Sequence, residues 1–174
     1  LTDVFIANDV SWSGQGIFDN STNFQNRITG EAGAKLTLEA GQLALAGGSM
    51  LVTVDNFTNN ALLSAQGGGF LDFHSAVNIT NLTGSTLSGG TWQAKGNGST
   101  LELSDATIVT NDAEVILSGV GSVIRGSVDV EQSLTNNTVS GALRVLENRD
   151  YTTTLGFVNA GVVELGGGVW NSNT

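Results

Sequence analysis

FTNNALLSAQGGG (residues 57–69) and FVNAGVVELGGG (157–168) open alike and close alike. Each begins with Phe, one intervening residue and Asn. Each then passes through a small residue into a short apolar run and stops at three glycines. Three more stretches start the same way: Ile79-Thr80-Asn81 before LTGSTLSGG, Val109-Thr110-Asn111 before DAEVILSG, and Leu134-Thr135-Asn136 before NTVSGALRV. The Asn positions 59, 81, 111, 136 and 159 are separated by 22, 30, 25 and 23 residues. Phe24-Gln25-Asn26 reads as an earlier, degenerate copy.

Between these marks the residues alternate. KLTLEAGQLAL (35–45), MLVTV (50–54), STLELS (99–104), AEVILSG (113–119), ALRVLEN (142–148) and GVVELGGG (161–168) place apolar residues at every second position. Period-2 patterning predicts strands with one buried face. Glycines fall every few residues, and each would cost about 1 kcal/mol inside a helix. The chain is therefore expected to be all-β.

Short strands in units of 20–30 residues predict a parallel β-helix, a β-solenoid in which each unit is one coil. Strands of successive coils pair in parallel about 4.8 Å apart. At about 23 residues per coil, the chain holds about seven coils and stacks to roughly 34 Å. Gly and Asn fall at the corners, where the chain bends sharply or needs positive φ. Asn59, Asn81, Asn111, Asn136 and Asn159 are expected to form a structural ladder, each amide bonding to the coil next door. The rival is an antiparallel sandwich or jelly roll, whose strands also alternate. Against it stand the absence of Pro, the fivefold repeated opening, and Gly-rich corners at matching phases (67–69, 89–90, 119–121, 166–168). One solenoid domain over residues 1–174 is expected, with 1–23 as an N-terminal cap or irregular first coil and an uncapped C-terminal end. The chain starts at Leu1 without a signal-peptide pattern, which reads as a mature chain or a segment.

Composition excludes several chemistries. Lys and Arg number 6 against 16 Asp and Glu, a net charge of −10. Such a chain is a poor binder of nucleic acid or anionic lipid. No apolar run is long enough for a transmembrane helix. Without Cys and with one His (His74), there is no thiolate zinc site and no His cluster. Six Asn-x-Ser/Thr sequons, at Asn20, Asn56, Asn78, Asn81, Asn97 and Asn136, carry little weight in so Asn- and Thr-rich a chain.

Three carboxylate groupings invite an enzymatic reading: Asp105 with Asp112 and Glu114; Asp129 with Glu131, alternating in SVDVEQ; and Glu147 with Asp150 beside Arg149. Two acids about 5–10 Å apart can act as an acid/base pair on a glycan. Solvated strand faces explain them without further assumption. Calcium suits oxygen ligands, yet neither the GGxGxDxUx nonapeptide nor EF-hand spacing occurs, so no cofactor or metal is expected. His74 lacks a GxSxG partner. Gly67–Gly69 and Gly166–Gly168 lack the Lys-Ser/Thr of a phosphate loop. Trp92 and Trp170 are the candidates for glycan contact, with Trp12 a third aromatic able to stack on a sugar. Thr37, Thr53, Thr107 and Thr110 raise an ice-binding array, which the unequal steps disfavour.

SGGTWQAKGNGSTLELSDATIVTNDAEVILSGVGSVIRG and ALRVLENRDYTTTLGFVNAGVVELGGG resemble the repeats of large bacterial exported proteins. They are similar to autotransporter passenger domains and filamentous-haemagglutinin-type adhesins over about residues 50–170. The resemblance implies a right-handed coil, export to the cell surface, and a role in adhesion, matrix or filament formation. The expected function is thus a non-catalytic extracellular structural or adhesive solenoid, a segment or subunit of a larger assembly. Its expected partners are neighbouring coils, copies of itself, or host and matrix glycans. The alternative is a polysaccharide-binding or polysaccharide-cleaving β-helix.

Overall fold

The structure, a computed structural model, describes residues 3–19 and 25–172. The alternating segments wind into a parallel β-solenoid of about seven turns. Each turn has three sides. Side 1 is a six-stranded parallel sheet in which Asp3–Ile6, Gln25–Gly30, Ser49–Thr53, Phe70–Phe73, Thr100–Leu103 and Val123–Arg125 stack in chain order. Sides 2 and 3 belong to one bent sheet. Val10–Asp19, Lys35–Ala46, Thr86–Lys95 and Thr110–Ser118 run through both sides. Other coils divide the run at the bend, as in Asn56–Asn59 and Leu62–Gln66, or Asn136–Asn137 and Ala142–Leu146.

Alternation sends every second side chain inward, and stacking lines these up as rows. On side 1, Met50, Leu71, Leu101 and Ile124 form one buried row. On side 3, Leu43, Leu63, Trp92, Val115 and Leu143 form another. Phe57 packs on Phe73 at 4.6 Å and edge-on to Trp92 at 6.4 Å, filling the middle coils. Burying a large apolar side chain in this way contributes roughly 1.5–3 kcal/mol.

Coil length varies because coils carry insertions. From Met50 to Leu71 the step is 21 residues, and from Leu71 to Leu101 it is 30. The extra residues make a small hairpin in which Leu82–Thr83 pairs antiparallel with the start of Thr86–Lys95. A bulge between Ser88 and Thr91 returns the strand to register.

One sequence expectation is corrected here. SVDVEQ is not a strand: Val130–Ser133 is one helical turn, closed by bonds from the Gln132 N–H to the Asp129 carbonyl and from the Leu134 N–H to the Val130 carbonyl. The turn buries Val130 and Ser133, three residues apart as on one face of a helix. Residues 3–19 supply the strands Asp3–Ile6 and Val10–Asp19, which pair in parallel with the next coil in the manner of a first coil. The remainder of 1–23 lies outside the described residues.

Candidate functional site: the asparagine corner and the outer faces

The bend between sides 2 and 3 turns a small inward side chain toward the neighbouring backbone. Asn fits because its amide both donates and accepts. Asn59 Nδ2 donates to the Thr91 carbonyl at 3.1 Å, and the Asn59 N–H donates to Asn81 Oδ1 at 2.7 Å. Asn81 Nδ2 returns a bond to the Asn59 carbonyl at 2.9 Å and donates to the Ser88 carbonyl at 2.7 Å. Higher in the stack, Asn111 Nδ2 donates to Asn137 Oδ1 at 2.8 Å, and Asn137 Nδ2 donates to Asn159 Oδ1 at 2.7 Å. Asn59, Asn81, Asn111 and Asn137 are buried, while Asn159 is exposed.

Asn136 is not in this row. In LTNNTV the second Asn, Asn137, stands in register with Asn111 and Asn159 and points inward; Asn136 is half-buried and faces outward beside Thr110 and Val158. The helical turn explains the slip, since it adds residues ahead of the motif and shifts its phase by one. Two corrected steps follow, 26 residues from Asn111 to Asn137 and 22 from Asn137 to Asn159. The row is also interrupted. Leu87, not Asn81, lies in register beside Asn111, because the hairpin takes Asn81 out of the stack at that point.

Glycine keeps this corner tight. A Cβ on Gly90 would lie 2.5 Å from the Asn59 carbonyl oxygen. One on Gly141 would overlap Asn137 Oδ1 and the Asn111 carbonyl. Gly67–Gly69 lies at the opposite corner, between sides 3 and 1, where Gly67 and Gly68 have φ of +57° and +79°, and Gly166–Gly168 makes the corresponding turn into Trp170–Ser172, which pairs in parallel with Tyr151–Thr153 as a separate two-stranded sheet. There the chain folds back to start the next coil and holds no phosphate-loop geometry. In one coil the non-glycine pair Glu147 and Asn148 takes the same left-handed conformation, at +54° and +59°.

Trp92 is wholly buried on side 3, its indole Nε1 donating to the Gly89 carbonyl at 2.9 Å. That overturns Trp92 as a candidate for glycan contact; its position in WQAK puts it on the inward phase. Trp12 is half-buried and packs against the core. Trp170 is half-buried, stacked on Tyr151 at 4.6 Å and tilted against Phe157 at 5.2 Å. Trp170 and Phe157, with Gly156, Asn159, Val163 and Ser172, line an open recess of about 520 Å³.

The carboxylates are dispersed. Asp105 lies in a corner, Asp112 on side 2 accepting from the Thr138 hydroxyl, and Glu114 on side 3 accepting from Thr91 at 2.9 Å and Arg144 at 2.7 Å. Arg144 also pairs with Glu164, and these hydrogen bonds raise its pKa. Glu131 and Arg149, from separate sequence groupings, meet at 2.5 Å. The same Glu131 accepts from the Thr152 N–H at 3.0 Å, so a side chain supplies a bond that a strand would otherwise give. Glu147 is exposed, and Asp150 accepts from the Val169 N–H.

One carboxylate pair escaped the sequence. Asp72 and Glu102 stand in register on side 1, and Glu102 is bound by Arg125 at 2.6 Å. Burial, then the Glu102 charge, hold Asp72 above its ordinary value, with Asp105 adding to the rise and His74 and Arg125 opposing it. Only coil stacking brings these two together; 30 residues separate them in the chain. Among the described residues no group of three or more His, Cys, Asp or Glu is placed to hold a metal ion.

The outer face of side 2 carries short polar side chains bonded coil to coil. The hydroxyls of Thr58 and Thr80 are 2.6 Å apart, and Asn78 Nδ2 donates to Asn56 Oδ1 at 2.9 Å. The threonines named for an ice-binding array do not form one row: Thr37 is in register with Thr58 on side 2 and Thr110 lies on the same side, while Thr53 is on side 1 and Thr107 between strands. Of the sequons, Asn78 and Asn97 are exposed, Asn56 and Asn136 half-buried, and Asn81 buried; Asn20 lies outside the described residues. Comparison of the chain with protein-family models, with curated proteins and with solved structures gives no significant match.

Proposed function

We propose that this chain is a non-catalytic structural or adhesive β-solenoid that works outside the cell, as a segment or subunit of a larger surface or filament assembly. The observation that carries the reading is the organisation of the polar groups. They bond between coils, inside through the Asn row and outside through Thr58–Thr80, Asn56–Asn78 and Glu114–Arg144–Glu164. Such ladders make a stiff rod whose cross-section repeats at about 4.8 Å. The acidic charge of −10 favours solubility and disfavours nucleic acid. The resemblance of residues 50–170 to autotransporter passengers and filamentous-haemagglutinin-type adhesins supports surface export and right-handed winding. Electron microscopy of purified protein, with binding to cells and a glycan panel, tests it. Rods or filaments, or adhesion without glycan turnover, support the proposal. Glycan cleavage with or without calcium rejects it.

A second reading, binding of polysaccharide, is favoured by the Trp170–Phe157 recess, where an aromatic face adjoins Asn159 and Ser172. Sugar rings stack on such faces while polar groups bond to their hydroxyls. Tryptophan quenching on glycan titration, lost in Trp170→Ala, supports this reading; unchanged fluorescence rejects it.

A further inference from the structure

Asn97-Gly98 is the one Asn-Gly dipeptide of the chain. It sits at the tip of the turn between Thr86–Lys95 and Thr100–Leu103, with both residues exposed. Among the described residues the Asn97 side-chain amide has no hydrogen-bond partner. Asn-Gly is the dipeptide most open to succinimide formation, because glycine presents no Cβ to block its own nitrogen. The chemistry needs no enzyme. Base removes the Gly98 amide proton, and the nitrogen attacks Asn97 Cγ. The new N–Cγ bond forms, the Cγ–Nδ2 bond breaks, and Nδ2 leaves as ammonia. Water then opens the imide at either carbonyl, leaving aspartate or isoaspartate.

The attacking nitrogen is occupied in this fold. The Gly98 N–H donates to the Val120 carbonyl of the next coil at 3.1 Å, with Gly98 held at φ +72°. The turn is pinned on both flanks. The Gly96 N–H bonds to the Ser118 carbonyl at 2.8 Å. Ser99 Oγ donates to the Lys95 carbonyl at 2.6 Å and accepts from the Gly68 N–H at 3.0 Å. Deprotonating Gly98 and swinging its nitrogen onto Cγ both require the bond to Val120 to break.

We infer that Asn97 is a latent deamidation site locked by coil stacking, so that its conversion records separation of two neighbouring coils at this corner. The product adds one negative charge. As isoaspartate it also adds a backbone carbon to a turn that packs on Gly119, where even a Cβ would lie 3.0 Å from the Gly96 carbonyl carbon and 3.3 Å from the Asn97 nitrogen. Conversion therefore opposes re-stacking.

The test follows Asn97 by peptide mass spectrometry at mildly alkaline pH. The folded full chain is expected to deamidate at least roughly tenfold slower than the same chain unfolded in urea, since reaction waits on local opening. Gly119→Ala crowds the Asn97 turn and is expected to raise the folded-state rate severalfold. Gly33→Ala imposes similar backbone strain, at φ +85°, on a distant corner with no atom within 4 Å of the new Cβ, and is expected to leave the rate unchanged. Folded and unfolded chains reacting within about twofold of each other would overturn the lock. So would equal acceleration by the two glycine variants.

Discussion

Asn137→Ala removes the best-connected side chain of the corner. Its Nδ2 donates to Asn159 Oδ1 at 2.7 Å, the Val162 carbonyl at 3.0 Å and the Gly141 carbonyl at 3.3 Å, while its Oδ1 accepts from Asn111 at 2.8 Å. Two Nδ2 protons cannot fully serve three acceptors, so about three hydrogen bonds are effectively at stake. Each net bond contributes about 1 kcal/mol, and a buried group left without a partner costs about 1–3 kcal/mol. Asn111 keeps its bond to the Ala142 carbonyl at 3.2 Å, which limits the damage below. The expected loss is about 2–3 kcal/mol, or roughly 4–12 °C in Tm for a chain of this size. Asn136→Ala is the internal control. Its side chain has no hydrogen-bond partner among the described residues, and its removal should stay within about 0.5 kcal/mol. Urea and thermal unfolding of both variants, read by circular dichroism, compare them directly. Equal losses, or a larger loss for Asn136→Ala, would refute the assignment of the inward row to Asn137.

Other consequences are as specific. Trp92→Ala should cost about 3–5 kcal/mol, because it empties a wholly buried site against Phe57, and fluorescence of the parent should be blue-shifted at this position. Gly141→Ala should destabilise more than Gly33→Ala, measured alongside by thermal unfolding, since the new Cβ overlaps Asn137 Oδ1 and the Asn111 carbonyl whereas one on Gly33 meets no atom within 4 Å. The folded chain holds the Asp72 proton more tightly than the unfolded chain does, so its ionisation opposes folding at neutral pH. That penalty is missing below the unfolded value near 4 and grows as pH rises through the raised folded value. Asp72→Asn should therefore melt above the parent at about pH 7, with the gap closing as pH falls toward about 4.

The repeat was legible because stacking imposes one rule on every coil. Phe57-Thr58-Asn59 and Ile79-Thr80-Asn81 show it plainly, since their inward, outward, inward order survives in the sequence. What hid the rest was insertion. The hairpin at residues 82–88 and the turn at 130–133 lengthen their coils without disturbing the local motif, so a constant-period reading slides past them. Two adjacent asparagines then left the choice between Asn136 and Asn137 to a phase that only the preceding helical turn sets. Trp92 reads as a candidate surface aromatic until its row is known, when neighbours Leu63 and Val115 place it inside. The pair Asp72–Glu102 carried no sequence signal, because adjacency across coils depends on summing every insertion between them.

The central claim is that successive segments lie in parallel, one on top of the next, and the lack of native cysteine makes it directly testable. Thr58 and Thr80 face outward on adjacent strands with hydroxyls 2.6 Å apart. Cysteines at both positions would have Cα atoms about 4.8 Å apart, within disulfide range. Mild oxidation of Thr58→Cys/Thr80→Cys should give a monomeric chain with a 58–80 disulfide and an unchanged β spectrum, whereas Thr53→Cys/Thr80→Cys should stay reduced. Failure of the first pair to close, or closure only between molecules, would contradict the stacked-coil account.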